Sequence, residues 1–413
     1  MRTLKGGALM YTLFLMSIMS VFCLLLLGYR NMAIHHIDDN MKLTWARHNF
    51  YSGLNLYLAN KNRVEKAGSM RLYESGRDSF RYQYEKWGLF SLLKGKGIAD
   101  NKSYQKYCLL GNIGEQGHHF SLTYKDNEQI LTIGGEAELS GRINLKEGKV
   151  RGENISGIPF TGNYDSAVYA AINPNSSLPK ENWEEIHEHL NICERFPEEE
   201  HLFSMERDSL ENSWNESAWF HTYPGQLILD KVCLKGKQII IAKEIIVKGS
   251  SRLSDVILFA NNILIEQGFR GNLQAFALEK VELEADTELT FPSVLALLPR
   301  KKVACKMLLG NTQFEGELYF TREFSRQAPH KEDVMFIARG ARIGGRIYAK
   351  TRVDLKGLVE GSLLCNQLIH RTNRGSLKHY LVDGKIRPFM NKEERVESLG
   401  FGSYPNSVVK WLD

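Results

Sequence analysis

Moved along the chain by 16 residues, Met335–Cys365 (MFIARGARIGGRIYAKTRVDLKGLVEGSLLC) falls on itself. Ile337 lands on Val353, Ala341 on Gly357, Ile343 on Val359, Gly345 on Gly361, Ile347 on Leu363 and Ala349 on Cys365. Small residues meet small ones, and branched apolar residues meet branched apolar ones. Side chains recur in columns when successive turns of chain lie on one another, each packing on its counterpart one turn away. Strands of an antiparallel sandwich, the competing architecture, have no reason to repeat column by column. The pattern predicts adjacent coils of a parallel β-helix.

Two other stretches carry the same signature. In Leu234–Asp286, shifts of 17 and then 18 align Ile240, Ile257 and Ala275, then Ile246, Ile263 and Val281, then Lys248, Ile265 and Leu283. In Ile130–Gly157, Ile143 and Leu145 flank Asn144 between punctuating glycines, and the stretch is expected to form the first coils. About ten coils stacked ~4.8 Å apart give a rod roughly 45–50 Å long, whose end strands need covering.

The other dominant feature is Gly6–Gly28, which contains no charged residue. As a helix rising ~1.5 Å per residue it extends about 35 Å, enough for a hydrocarbon core of roughly 30 Å. A cleaved signal peptide has an apolar core of only ~7–15 residues and a small-x-small site. Here apolar residues continue through Leu24–Leu27 and no Ala-x-Ala follows, so a retained anchor is expected. Arg2 and Lys5 precede the run, and Arg30, Lys42 and Arg47 follow it. This near balance leaves the short leader to decide: N-terminus cytoplasmic, bulk extracytoplasmic.

The segment Lys5-Gly6-Gly7-Ala8-Leu9 followed by an uninterrupted apolar helix resembles the type IV pilin-like proteins, in particular the minor pseudopilins of secretion systems, over about thirty residues. The resemblance implies cleavage after the leader glycine and packing of the helix into a filament. Most of that family carry Glu at the fifth mature position, where this chain has Tyr11 or Thr12. The glycines of Gly345-x-Ile347 and Gly361-x-Leu363 resemble the bactofilins, β-helical polymer-forming scaffolds, over about 35 residues. That implies coils able to stack end to end, although bactofilins generally work in the cytoplasm and lack such large appended segments.

A formal charge of +5 on 413 residues argues against a nucleic-acid binder. The densest basic spot, Arg300-Lys301-Lys302 with Lys306, reads as a solvated turn after Pro299. Of six cysteines, Cys23 lies in the apolar run; Cys108, Cys193, Cys233, Cys305 and Cys365 form no CxxC or metal-ligand spacing. Cys233 and Cys365 fall in apolar strand patterns as small hydrophobes, and no disulfide framework is expected. His187-Glu188-His189, with Glu184 a turn earlier, lacks the i, i+4 histidines of a helical zinc site. Glu198–His201 supplies a second Glu-x-x-His, but the four-helix bundle of a di-iron site is missing. His118-His119 and His35-His36 are isolated. A polysaccharide-active β-helix needs clustered carboxylates with Lys or Arg on one face. Lys243, Glu244, Lys248, Asp255, Glu266, Glu282 and Glu284 are instead mixed along the repeats. No catalytic, cofactor or metal residue is assigned, no cofactor is expected, and an enzyme is the third alternative.

Between these features, 33–62 has helical spacing, with Trp45, Phe50, Leu54 and Leu58 on one face, and Met70–Ile98 alternates as a hairpin turning near Gly76. Residues 178–224 are acidic and aromatic and break the repeat. Asn182 can cap a helix to about Ile192, closed by Pro197, in an insertion suited to a partner contact. The expected fold is mainly β: a single-stranded parallel β-helix with an N-terminal transmembrane helix and a small α+β segment. Its parts are a leader and anchor (1–30), a juxtamembrane helix and hairpin (31–125), the solenoid with its insertion (126–390) and a docking tail (391–413). The expected role is a structural or interaction component of the cell envelope. Its partners are the lipid bilayer, other proteins and its own copies, not nucleic acid.

Overall fold

The structure is a computed structural model describing residues 7–60, 66–73, 78–113, 120–124, 130–145, 150–164, 169–170, 184–196, 202–205, 208–322, 330–389, 396–399 and 405–412. The chain is mainly β and forms two compact units. One comprises residues up to Glu85 with Leu92–Cys108; the other comprises Lys86–Ser91 and everything from Leu109 onward. The turn near Gly76, the leader, His118-His119, Asn182, Pro197 and Glu198–His201 lie outside the described residues.

In the first unit the apolar run and the juxtamembrane stretch are one continuous helix, Gly7–Ala59, of 53 residues. No proline lies between Gly28 and Asn60 to end it. Its early part is bare on every side, from Leu9 through Leu27. The buried face starts at Ala46 and continues through Asn49, Phe50, Leu54 and Tyr57. Trp45, grouped by spacing with Phe50 and Leu54, is 52% exposed. The reason is a close approach: a Cβ added to Gly97 would lie 2.1 Å from the Ala46 carbonyl oxygen. Only the small Ala46 fits where the helix backbone meets strand Phe90–Ala99. Strands Ala67–Arg71, Asp78–Trp87, Phe90–Ala99 and Lys102–Ile113 lie side by side in chain order. The first pair is an antiparallel hairpin, with Ala67 opposite Gln83. Phe50 meets Phe80 edge-on at 5.8 Å, and the Asn49 amide donates to Asp78 Oδ1 and the Ile98 carbonyl at 2.7 Å each.

The second unit is built on parallel pairing. One buried column runs Ile240, Leu258, Ala275, Leu295, Leu318, Ile347, Leu363, Leu122, Ile143. A second runs Leu227, Ile245, Ile263, Val281, Met307, Met335, Val353, Leu368. Both face one core. Ile343 pairs with Val359, Gly345 with Gly361, Ile347 with Leu363 and Ala349 with Cys365, as the 16-residue shift requires. Gly316, Gly345 and Gly361 stack at φ of +148°, +158° and +143°. A Cβ on Gly345 would stand 1.7 Å from the Gly316 carbonyl oxygen, so that column admits no side chain.

Elsewhere the repeat is displaced by one or two residues. Ile240 pairs with Leu258 rather than Ile257, and Ile245, not Ile246, pairs with Ile263. Val247, not Lys248, shares the column of Leu229, Ile265 and Leu283. Ile337 pairs with Leu355 rather than Val353. A one-residue slip exchanges the two faces of a strand, so the corrected columns are wholly apolar and Lys248 leaves the core. The offset differs from one pairing to the next: Gln238–Val247 pairs with Arg252–Ile265 at a uniform 18 residues, and Val334–Ile337 pairs with Arg342–Leu355 at 18, whereas Arg342 pairs with Leu358 at 16.

The 14-residue strands Arg270–Leu283 and Arg342–Leu355 each pair with two successive partners on one side and with a single long strand on the other. With Glu288–Leu297, Lys306–Leu309, Gln313–Phe320 and Val334–Ile337 they close a ring of six parallel strands. Residues 178–224, expected to stand outside the repeat, contribute Leu202–Ser204, Ser209–Asn212 and part of Trp219–Leu229 to these ladders. The strands after Ile130 are not the first layer. Leu122 pairs with Leu363, Ile386 with Val359, and Leu139 with Ile386, so this segment extends the end formed by the chain's last ladder strands. The tail docks as expected: Val396–Glu397 pairs antiparallel with Asn112 and Ile113, and Asn406 donates to the Gly111 carbonyl.

Candidate functional site

The outer face of the first ladder is itself apolar and covered. Helix Glu184–Arg195 lies on strands Gln238–Val247, Arg252–Ile265 and Arg270–Leu283 and buries Ile186, Leu190 and Cys193. His189 sits between the rings of Phe220 (5.6 Å) and Phe259 (4.8 Å). Arg300, read from sequence as part of a solvated turn, instead anchors this helix. Its guanidinium donates to Asn191 Oδ1 at 2.5 Å, Glu194 Oε2 at 3.0 Å, and the Nδ1 and carbonyl of His187 at 2.7 and 3.2 Å. Lys301, Lys302 and Lys306 are exposed, as expected. Burial and the adjacent Arg300 push the His187 pKa down to about 4. That nitrogen therefore accepts from Arg300, and His187 and His189 serve packing. Among the described residues no group of three or more His, Cys, Asp or Glu can hold a metal. His35 and His36 lie exposed on the long helix.

Farther along, the Trp87–Leu89 turn and the tail cover the ladder. The buried Gln274 amide accepts from Leu89 N–H at 2.8 Å and donates to the Trp87 carbonyl at 3.0 Å. Asp255 receives Lys410 Nζ on both oxygens at 2.7 Å, and its carbonyl accepts from Trp87 Nε1. Buried Glu317 accepts from Ser398 N–H at 2.7 Å and from the hydroxyls of Ser398 and Tyr319. None of these tethers was foreseen, because glutamine, aspartate and glutamate in a strand carry no signal of which distant segment they hold. Burial raises the Cys108 and Cys193 thiols to about 12 and Cys305 to about 11, leaving them unreactive. Cys233, expected inside, is exposed; Cys365 is buried.

The second ladder presents the open face. Between its inward residues, Ile228, Ile246, Leu264, Glu282, Leu308 and Phe336 form an outward column, half-buried by their neighbours. Two residues before them in each strand stand Gln226, Glu244, Asn262, Lys280 and Lys306; two residues after Ile246, Leu264 and Glu282 stand Lys248, Glu266 and Glu284. Adjacent layers are linked by Gln226 with Glu244 (2.8 Å) and Lys248 with Glu266 (2.5 Å), while Lys280 pairs with Glu282. The face ends where the hairpin of Leu358–Thr372 with Gly375–Lys378 begins. There Asp354 is buried, which raises its pKa. The carboxylates recur one layer at a time, each engaged with a neighbour. Together they edge the half-buried column with charge on both sides.

No protein-family model matches the chain, and no curated protein or solved structure does either.

Proposed function

We propose that this chain is a membrane-anchored extracytoplasmic β-solenoid that acts as a structural or interaction component, in its sharpest form a pseudopilin-like part of a bacterial secretion or surface-filament apparatus. The observation that carries this is the 53-residue helix: bare and apolar through Leu27, then buried from Ala46 under neighbouring strands. Such a helix offers its first half to a bilayer and to other subunits, and its second half packs on the strands of its own unit. The parallel ladders support the solenoid, with the six-strand ring arising where long strands turn a corner and join two faces of one coil. In this reading the N-terminus is cytoplasmic and the bulk lies outside. The stacked glycines of Gly316, Gly345 and Gly361 favour a second version, a bactofilin-like polymer-forming scaffold. Intact-mass measurement of the full chain purified from membranes separates them. A mature chain starting at Gly7 or Ala8 supports the pseudopilin version, and one starting at Met1 eliminates it.

A further inference from the structure

We infer that the open outer face of the second ladder is where two copies of this chain meet, about a two-fold axis running along the direction in which the strands stack. This stands apart from the helix and holds for either version of the function above.

The columns define the geometry. Successive layers lie ~4.8 Å apart and residues i and i+4 of a strand ~13 Å apart, so the face from Ile228 to Phe336 measures about 30 Å by about 20 Å. Two such faces bury roughly 1,200 Å² in total, above the ~1,000 Å² expected of a specific interface. A flat face with a half-buried aliphatic column suits a second flat face better than a convex partner.

The charges select the partner. A two-fold axis along the stack leaves each layer opposite the same layer of the other copy and exchanges the two flanking columns. Glu244 then faces Lys248 of the second copy, and Lys280 faces Glu284. Asn262 faces Glu266, and Lys306 faces Gly310, so no like charges oppose each other in the flanking columns over these layers. Turning the second copy end for end over the same six layers, with the axis along the strands, sets Glu266 against Glu284 of the other copy. The side chains of Lys248 and Lys280 are 36% and 45% exposed, accessible to a partner although each has a neighbour within its own chain. On the axis, Leu264 meets Leu264 and Leu308 meets Leu308. Glu282 also meets its own copy, with each carboxylate neutralised by its own Lys280.

The full chain in detergent, followed by sedimentation equilibrium, should be a dimer at micromolar concentration. Lys248→Glu should weaken it about fivefold to thirtyfold, because two copies of the contact are reversed in each dimer. Adding Glu244→Lys should restore it. Within one chain those residues are ~13 Å apart, too far for intramolecular rescue. With Cys23 and Cys233 replaced by Ser, Leu264→Cys should be joined to its own copy by a short bismaleimide spanning the ~10 Å between packed sheets. Arg270→Cys, exposed and off this face, should not. A monomer at every concentration, a dimer indifferent to Lys248→Glu, failure of Glu244→Lys to rescue, or equal cross-linking at Arg270→Cys would each overturn the inference.

Discussion

Replacing Arg322 by Met should be among the most damaging single changes in the ladder unit. The Arg322 side chain is 4% exposed and that of its partner Asp333 is 1% exposed. The guanidinium donates to both Asp333 oxygens, at 2.5 and 2.8 Å, and to the Lys301 and Val303 carbonyls at 2.5 and 2.6 Å. Asp333 in turn accepts from the backbone of Cys305 and His330. The pair therefore ties 301–305 to 330–333 across the core. Removing one partner of a buried ion pair costs about 3–5 kcal/mol, mostly because the other charge stays desolvated. An unfolding entropy near 2.1 cal/mol/K per residue over about 300 residues converts this into a Tm loss of about 5–8 °C. Circular dichroism melting of the detergent-solubilised chain measures it. The double variant Arg322→Met with Asp333→Leu should recover at least half of the loss, since no charge is then stranded. A single variant melting within about 2 °C of the parent, or a double variant worse than the single, would refute the account.

Two further outcomes test other parts of the structure. Gly97→Val should loosen the helix from its sheet, because its first side-chain carbon would stand 2.1 Å from the Ala46 carbonyl oxygen. Overpacking of this kind costs about 1–3 kcal/mol and should show as faster proteolysis after Ala59, whereas Gly28→Ala, which meets nothing within 4 Å, should leave that cleavage unchanged. The folded pKa of His187, about 4, lies below its ordinary 6.5, so the native state binds fewer protons than the unfolded chain. Its contribution is complete above pH 6.5 and is lost as pH falls toward 4, by about 1–2 kcal/mol after allowing for solvent screening at this half-buried ring. Stability measured by urea at a series of pH values should lose this slope in His187→Gln; an unchanged slope would assign it elsewhere.

Particular residues show how far reading the chain could reach. The glycine column at 345 and 361 was visible because backbone contact between layers forbids a side chain, and sequence records a forbidden side chain plainly. Lys248 was placed one position too deep because its strand pairs with Arg252–Ile265 at an offset of 18 throughout, and a shift of 17 read from Ile240 and Ile257 runs one residue short. Arg300 looked like part of a solvated basic run. Its helix contacts lie more than 100 residues away in sequence, and nothing local distinguishes it from Lys301. The paired outer columns at Glu244 and Lys248 were seen only as scattered charge until the correct register set them in line.

Local chemistry was enough to determine that a long apolar helix leads the chain and that spaced aliphatic residues pair with their counterparts a turn away. Both follow from short-range rules: an uncharged stretch without proline stays helical, and like side chains stack. Only the tertiary structure decided which layer lies against which. The strands near Leu122 and Ile143 join the end of the stack beside Leu363, because any layer presenting the same apolar column can satisfy the same edge. The partners Leu122 and Leu363 are more than 200 residues apart in sequence, so no local segment specifies their pairing.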